Sequence, residues 1–377
     1  MFKLVENESL CCGCTACKNV CPFGAISIKA DEKGFSYPEI DGEKCVECGL
    51  CKKSCAFQNE IKVKNVPTVY AAKASDSVRE KSASGGAFTV LSDVVLNNGG
   101  VVYGVKFNDD LKAVHTRAED EKERDLCKNS KYSQSDMEDI FLKIKKDVDD
   151  NKQVLFTGTP CQVDAVRNFV GENENLFLVD ILCHGVLSPK LFSEYISFIE
   201  KKRHSRVAMY YHRPKDLGWG HYEKAVYENG REEIETSLMR IWKNVFYTDA
   251  CLRPSCYECK YANTPRCSDI TIADFWGIEG VTPDFSDEKG VSLVLVNSQK
   301  GEKLFENAKE KLLLSDEKLE DAKVKNPNLY RPTKPQKDVL KFWEDYMKNG
   351  FSYIAKVYGG YNVKTRLKRF IKKLIKR

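Results

Sequence analysis

Sixteen cysteines in a chain of 377 residues are the side chains best suited to chemistry, and half of them fall into two runs of one spacing. The first run is Cys11-x2-Cys14-x2-Cys17-x3-Cys21-Pro22; the second is Cys45-x2-Cys48-x2-Cys51-x3-Cys55. Three thiolates at i, i+3 and i+6 wrap one face of an iron–sulfur cubane, while the fourth of each run ligates the other cluster. The spacing predicts two [4Fe–4S] clusters, one held by Cys11, Cys14, Cys17 and Cys55, the other by Cys45, Cys48, Cys51 and Cys21. Structural zinc is built from paired cysteines and has no reason to repeat this pattern. Ala56 replaces the proline usual after the second run, which affects the turn and not the ligands. Cys12 lies outside both registers and reads as a spare.

Of the other cysteines, Cys161 follows a strand and tight turn (Leu155-Phe156-Thr157-Gly158-Thr159-Pro160-Cys161), and Cys183 ends the next strand before His184-Gly185. Cys256 and Cys259 form a C-x2-C pair. Loops leaving adjacent strand ends of an α/β sheet can converge on one point. A pair plus two separate cysteines fits zinc, redox chemistry or plain buried thiols as well as a further cluster, and spacing alone does not choose.

The elements that must position these groups are legible in outline. Short apolar strands (Val69 to Ala72, Val101 to Val105, Val154 to Phe156, Leu176 to Asp180, Val291 to Val296) alternate with helical stretches, Ala87 to Leu96 and Met137 to Val148. This predicts an α+β ferredoxin-like domain over 1–62, an α/β domain with a mixed sheet over 68–325, and a helical basic tail over 326–377, read as accessory. The composition, 42% hydrophobic and 31% charged, is that of a globular chain. No signal peptide or spanning segment is read, and cysteines in metal-ligand runs suit a reducing cytoplasm. Net charge is +5, yet Lys364 to Arg377 holds eight Lys or Arg and no acid, so the excess is local and predicts no nucleic-acid partner.

Between about Tyr70 and Ser298 the chain resembles the beta subunits of coenzyme F420 hydrogenases and dehydrogenases, deazaflavin-reducing flavoproteins, and the related plant reductase of hydroxymethyl chlorophyll. The resemblance is carried by Ser82-Ala83-Ser84-Gly85-Gly86, Ser130-Lys131-Tyr132, Gly158-Thr159-Pro160-Cys161-Gln162, Cys183-His184-Gly185, Arg253-Pro254-Ser255-Cys256-Tyr257-Glu258-Cys259, Ser268 to Gly277 and Gly290 to Val294. It implies an FAD-binding domain, with a third [4Fe–4S] cluster on Cys161, Cys183, Cys256 and Cys259. Cys251 and Cys267 flank the pair as rival ligands, and Cys127 is given no role. The fused ferredoxin module, the Cys-His-Gly and Asp-Phe-Trp-Gly motifs and the basic tail are similar to a bacterial branch associated with surface polysaccharide synthesis.

For the flavin, Ser84, Gly85 and Gly86 precede an apolar helix whose free N–H groups suit a pyrophosphate; a plain cap and turn is the rival. Lys131 and Tyr132 are expected near the ring, with Lys131 stabilising an anionic reduced flavin, and Asp274 either contacts the cofactor or caps a turn. The stretch from His212 to His221 suits an anionic substrate or a plain exposed hairpin. His184 is the expected proton donor or potential-tuning group beside a ligand. Leu367, Phe370, Ile371, Leu374 and Ile375 form the apolar stripe of a basic helix suited to a partner subunit or the inner membrane surface. Together these predict a cytoplasmic oxidoreductase whose tail meets either the inner face of the membrane, as a peripheral protein, or a partner subunit. Electrons from ferredoxin or another low-potential donor would pass through the clusters to FAD and on to a small organic acceptor, a deazaflavin or a polysaccharide-pathway intermediate. The alternative is a non-catalytic electron-transfer subunit.

Overall fold

The computed structural model describes residues 4–5, 7–61 and 66–362. The apolar stripe from Leu367 to Ile375 lies outside the described residues, as do residues 62–65 of the link. Strands β1 (Ile26–Ala30) and β2 (Ser36–Ile40) form an antiparallel ribbon in which Ile26 faces Ile40. Each cysteine run encloses a short helix, Ala16–Val20 or Leu50–Lys53. Each helix is entered through a left-handed residue, Thr15 at φ 66° and Gly49 at φ 77°.

The large domain is built on β3 (Thr68–Lys73), β4 (Val101–Phe107), β5 (Ala113–Ala118), β6 (Val154–Gly158), β7 (Leu176–Ile181), β11 (Ile270–Asp274), β12 (Ser292–Val296) and β13 (Leu313–Glu317). They form one mixed sheet in the order β13-β3-β12-β11-β7-β6-β4-β5, with β11, β7, β6 and β4 parallel and the flanks antiparallel. Alternation along the strands sorts their side chains between two layers. Leu155 and Val179 pack with Val90, Leu91 and Leu304 of the Ala87–Asn97 and Gln299–Lys309 helices. Val154, Phe156 and Leu178 pack with Ile144 and Val163 of the Ile140–Asp149 and Pro160–Val170 helices. Burial on both faces explains why β6 and β12 are apolar or small throughout.

Between β7 and β11 the chain leaves this sheet for the Pro189–Arg203 helix, a three-stranded antiparallel sheet and the Met239–Phe246 helix. The small sheet has the order β10-β9-β8, from β8 (Val207–His212), β9 (Glu223–Tyr227) and β10 (Glu232–Ile234). The segment after 325 is not accessory. Phe342, Trp343 and Ile354, from the Val339–Asn349 and Phe351–Val357 helices, enter the core with Tyr195 and Trp242, and Phe35 of the ferredoxin module joins them. Amphipathic helices need a partner surface, and the core of the 182–269 insertion supplies it. Among the described residues no helix is long and apolar enough to cross a membrane.

The ferredoxin module is bolted to the large domain by polar contacts. Tyr261 Oη donates to Ala56 O at 2.9 Å, Lys190 Nζ to Glu32 O at 3.0 Å, and Gln134 Nε2 to Cys12 O at 2.9 Å.

Candidate functional site

Four cysteines far apart in sequence meet at the ends of β6 and β7. Strand β6 runs through Gly158 and Thr159 into the Pro160–Val170 helix, where proline is pre-set for the first turn and Gln162 Oε1 accepts the Thr159 N–H at 3.0 Å. Cys161 is thereby fixed in that turn, its Sγ 3.2 Å from Thr159 Oγ1. Cys183 lies just beyond β7. Cys256 sits in the short Pro254–Tyr257 helix and Cys259 in the loop after it. Arg266 pins that loop, donating to Tyr261 O at 2.8 Å and to Asp180 at the end of β7 at 2.7 Å in a fully buried ion pair. All four thiols line one small cavity of about 30 Å³ with His184, Arg253 and Asn328. Burial, reinforced by neighbouring thiols, pushes Cys256 up to about 12 and Cys259 up to about 11. Among the described residues no three His, Cys, Asp or Glu side chains converge tightly enough for a single metal ion.

The other cysteines fall differently from expectation. Cys12 is no spare: it is buried and lines the same cavity as Cys161, Cys183, Cys256 and Cys259. The Cys11-Cys12 doublet was the visible signal, since a buried residue between ligands faces the domain on which the module docks. Neither rival ligand reaches the cavity lining. Cys251 directs its thiol to Val245 O at 3.6 Å and Cys267 to Pro160 O at 3.3 Å. Cys127, given no role, lines the larger cavity described next.

In the module, Cys14 and Cys17 lie within electrostatic reach of Cys55, and Cys51 within reach of Cys45 and Cys48. Cys21 and Cys45 are partly exposed, and Cys48 is the most open of the eight. The first set faces the large domain through Cys11, whose carbonyl accepts Arg253 Nε at 2.6 Å.

A second cavity of about 540 Å³ opens beside the cysteines and shares Thr159, Cys183, His184, Gly185, Val186 and Asn328 with the first. Its size suits a cofactor. Ser84, Gly86, Lys131, Tyr132, His184 and Asp274 all line it; Gly85 does not. A Cβ on Gly85 would lie 2.3 Å from Ala72 O and 2.4 Å from Ser292 N, so this glycine lets the loop lie on β3 and β12. Gly86, at φ 90°, caps the Ala87–Asn97 helix. In that helix's first turn Thr89 lines the cavity, and its buried hydroxyl has no hydrogen-bond partner. An orphaned donor at a helix N-terminus is the arrangement that takes a phosphate oxygen.

Lys131 is committed to backbone, donating to Lys128 O at 2.6 Å, Leu126 O at 3.1 Å and Asn129 O at 3.3 Å, and burial pulls its pKa down to about 8. Asp274 holds Arg213 in a two-pronged pair, with Nη2 to Oδ1 at 2.8 Å, and accepts Trp219 Nε1 at 2.6 Å. Trp219 stacks on Trp276 at 4.5 Å and 9°. Asp274 thus lines the cavity with Arg213 as its partner, a pairing the sequence did not reveal.

The His212 to His221 stretch is no plain exposed hairpin. Buried His212 Nδ1 lies 2.7 Å from Glu223 Oε2, and His221 Nε2 lies 3.0 Å from Glu223 Oε1. Tyr132 packs on both imidazoles at 5.1 and 4.8 Å. His184 Nε2 meets Asp249 Oδ1 at 2.6 Å, and its carbonyl accepts the Thr333 hydroxyl. Asn326 and Asn328 complete the wall, so the segment after 325 is part of the site.

Comparison with known proteins bears on this architecture. The chain is 25% identical over 217 residues to a subunit of the F(420)H(2) dehydrogenase of Methanosarcina mazei, covering 50% of this chain and 59% of that protein, so the likeness spans less than two thirds of that relative. Its front is 38% identical over 61 residues to the VorC subunit of the ketoisovalerate oxidoreductase of Methanothermobacter marburgensis, covering 16% of this chain and 77% of that one. A chain of the F420-reducing [NiFe] hydrogenase complex from Methanosarcina barkeri is 16% identical with a TM-score of 0.47, covering 79% of this chain and 93% of its own length. Residues 10–59 match the 4Fe–4S dicluster domain. Residues 151–322 match the C terminus of the coenzyme F420 hydrogenase/dehydrogenase beta subunit, so that the core of this chain is similar to that family and stands behind an iron–sulfur dicluster domain.

Proposed function

We propose that this protein is an iron–sulfur flavoprotein oxidoreductase that takes single electrons through its ferredoxin module and delivers them in pairs to an organic acceptor. The observation that carries the reading is the chain of adjoining sites. The module's Cys12 lines the cavity of Cys161, Cys183, Cys256 and Cys259, and that cavity shares a wall with the 540 Å³ pocket. In this reading Cys11, Cys14, Cys17 and Cys55 hold one cluster and Cys45, Cys48, Cys51 and Cys21 the other. The four core cysteines hold a third. Bound FAD would supply the conversion between one-electron and two-electron chemistry.

The chain's own residues have the corresponding tasks. Gly86 and Thr89 present the helix N-terminus and an unpartnered hydroxyl to the pyrophosphate. Arg213, oriented by Asp274, and the aromatic faces of Tyr132 and Trp276 bound the rest of the pocket. His184 touches both cavities and, held by Asp249, would serve to move a proton in the larger pocket. Lys131 orders the 126–129 loop through three carbonyls and presents its charge at the pocket wall. The kinship with part of an F(420)H(2) dehydrogenase supports a deazaflavin acceptor; a polysaccharide-pathway intermediate is the other acceptor class. An external ferredoxin or similar low-potential carrier would be the donor, meeting the module where Cys48 is exposed.

Anaerobic purification followed by iron and flavin counting tests this. About twelve irons and one flavin per chain are expected. About eight irons without flavin would refute the reductase and leave an electron-transfer subunit.

A further inference from the structure

Arg253 stands at the junction of the ferredoxin module and the core and, among the described residues, forms no ion pair. The residue is fully buried. Nε donates to Cys11 O at 2.6 Å, Nη1 to Gln134 Oε1 at 3.0 Å and Nη2 to Ser36 O at 2.8 Å, while Nη2 also lies 3.5 Å from Cys11 Sγ. The guanidinium lies over Tyr37 at 4.4 Å and Phe35 at 5.6 Å, and it lines the cavity of the core cysteines. These hydrogen-bond partners are two carbonyls, an amide and a thiol; none is a carboxylate. A buried guanidinium without a counter-anion is strongly disfavoured. Glu8 and Asp31 carry charge near Tyr37 without bonding Arg253, whereas an iron–sulfur cluster with Cys11 among its thiolate ligands would bring negative charge directly against it.

We propose that Arg253 sets the reduction potential of the module's inner cluster through its hydrogen bond to Cys11 and its positive charge. Adding an electron makes a thiolate-ligated cluster more negative, so burial alone would make the inner cluster harder to reduce. A cation bonded to a ligand sulfur opposes that by stabilising the reduced form. The outer cluster, beside exposed Cys48, has water for the same purpose. Arg253 therefore keeps the step from outer to inner cluster favourable and directs electrons toward the core. It is a positioning residue that acts through Cys11, and the inference rests on Cys11 as a ligand.

Redox titration of the anaerobic full chain, followed by electron paramagnetic resonance, tests it in Arg253→Gln and Arg253→Lys. In R253Q with wild-type iron content, one cluster should shift to lower potential by about 59 mV, a tenfold change in its one-electron equilibrium constant, while the others hold. R253K keeps the charge but not the fork, so a smaller shift in the same direction is expected. Should R253Q lose iron, R253K decides. Unchanged potentials in R253Q at full iron content, or in R253K where R253Q has lost iron, overturn the proposal. Failure of the ligand assignment looks different: Cys11→Ser would keep wild-type iron and an unaltered spectrum.

Discussion

Replacing Asp274 tests whether this carboxylate serves the pocket through Arg213. The Arg213 and Asp274 side chains are 6% and 12% exposed, so Asp274→Ala leaves a buried guanidinium without its counter-charge. Breaking such a pair costs about 3–5 kcal/mol. The lower end applies, because Arg213 keeps carbonyl partners in Gly220 at 3.2 Å and Ala83 at 3.4 Å. The Trp219 indole N–H loses its 2.6 Å bond but sits where water can replace it. About 3 kcal/mol is therefore expected, read as a lowered urea midpoint by tryptophan fluorescence, with the stacked Trp219–Trp276 pair as local reporter. Flavin retention should fall as well, because Arg213 loses its orientation. The double variant Arg213→Met, Asp274→Leu should recover much of the stability but not the flavin. A cost below about 1 kcal/mol for D274A at unchanged slope would refute the reasoning.

Other expectations follow from the same geometry. Thr89→Val removes an unpartnered buried hydroxyl, so the flavin-free protein should gain up to about 1 kcal/mol while its flavin dissociation constant rises; equal affinity would detach Thr89 from the cofactor. Cys161→Ser and Cys256→Ser should each lose about four irons, whereas Cys267→Ser should lose none; atomic absorption decides between the lining set and the rivals. His115 is buried with both ring nitrogens unpartnered, and burial lowers its pKa to about 4. The unfolded chain then takes up a proton near pH 6.5 that the folded chain refuses, so stability falls as pH drops from 6.5 toward 4. His115→Phe, which keeps the stack on Phe156, should remove about one proton from that slope in titrations between pH 5 and 6.5.

The two cysteine runs were legible because a cubane's ligands lie a few residues apart, so local spacing encodes the geometry. Strands β6, β7 and β12 were legible from their apolar runs, and Gly158 to Gln162 reads as a strand-to-helix turn with its own cap. Pro160 and Gln162 act within one helical turn. The Met137 to Val148 helix was also visible, although it begins only at Ile140.

What escaped the sequence depends on partners far apart along the chain. Arg253 reaches Cys11 across 242 positions, and Arg213 reaches Asp274 across 61. The spacing between such residues carries no trace of their contact, because loops close over any length at a cost that grows only slowly. The roles given to Cys12 and Gly85, and to the segment after 325, depended on which way each faced, and facing is set by docking rather than by local preference. By itself the sequence determined an iron–sulfur module, an α/β sheet and a family resemblance. Only the tertiary structure decided that five cysteines line one cavity and that a buried arginine joins the module to it, because side chains that share charge and space must first be brought together by the packed core.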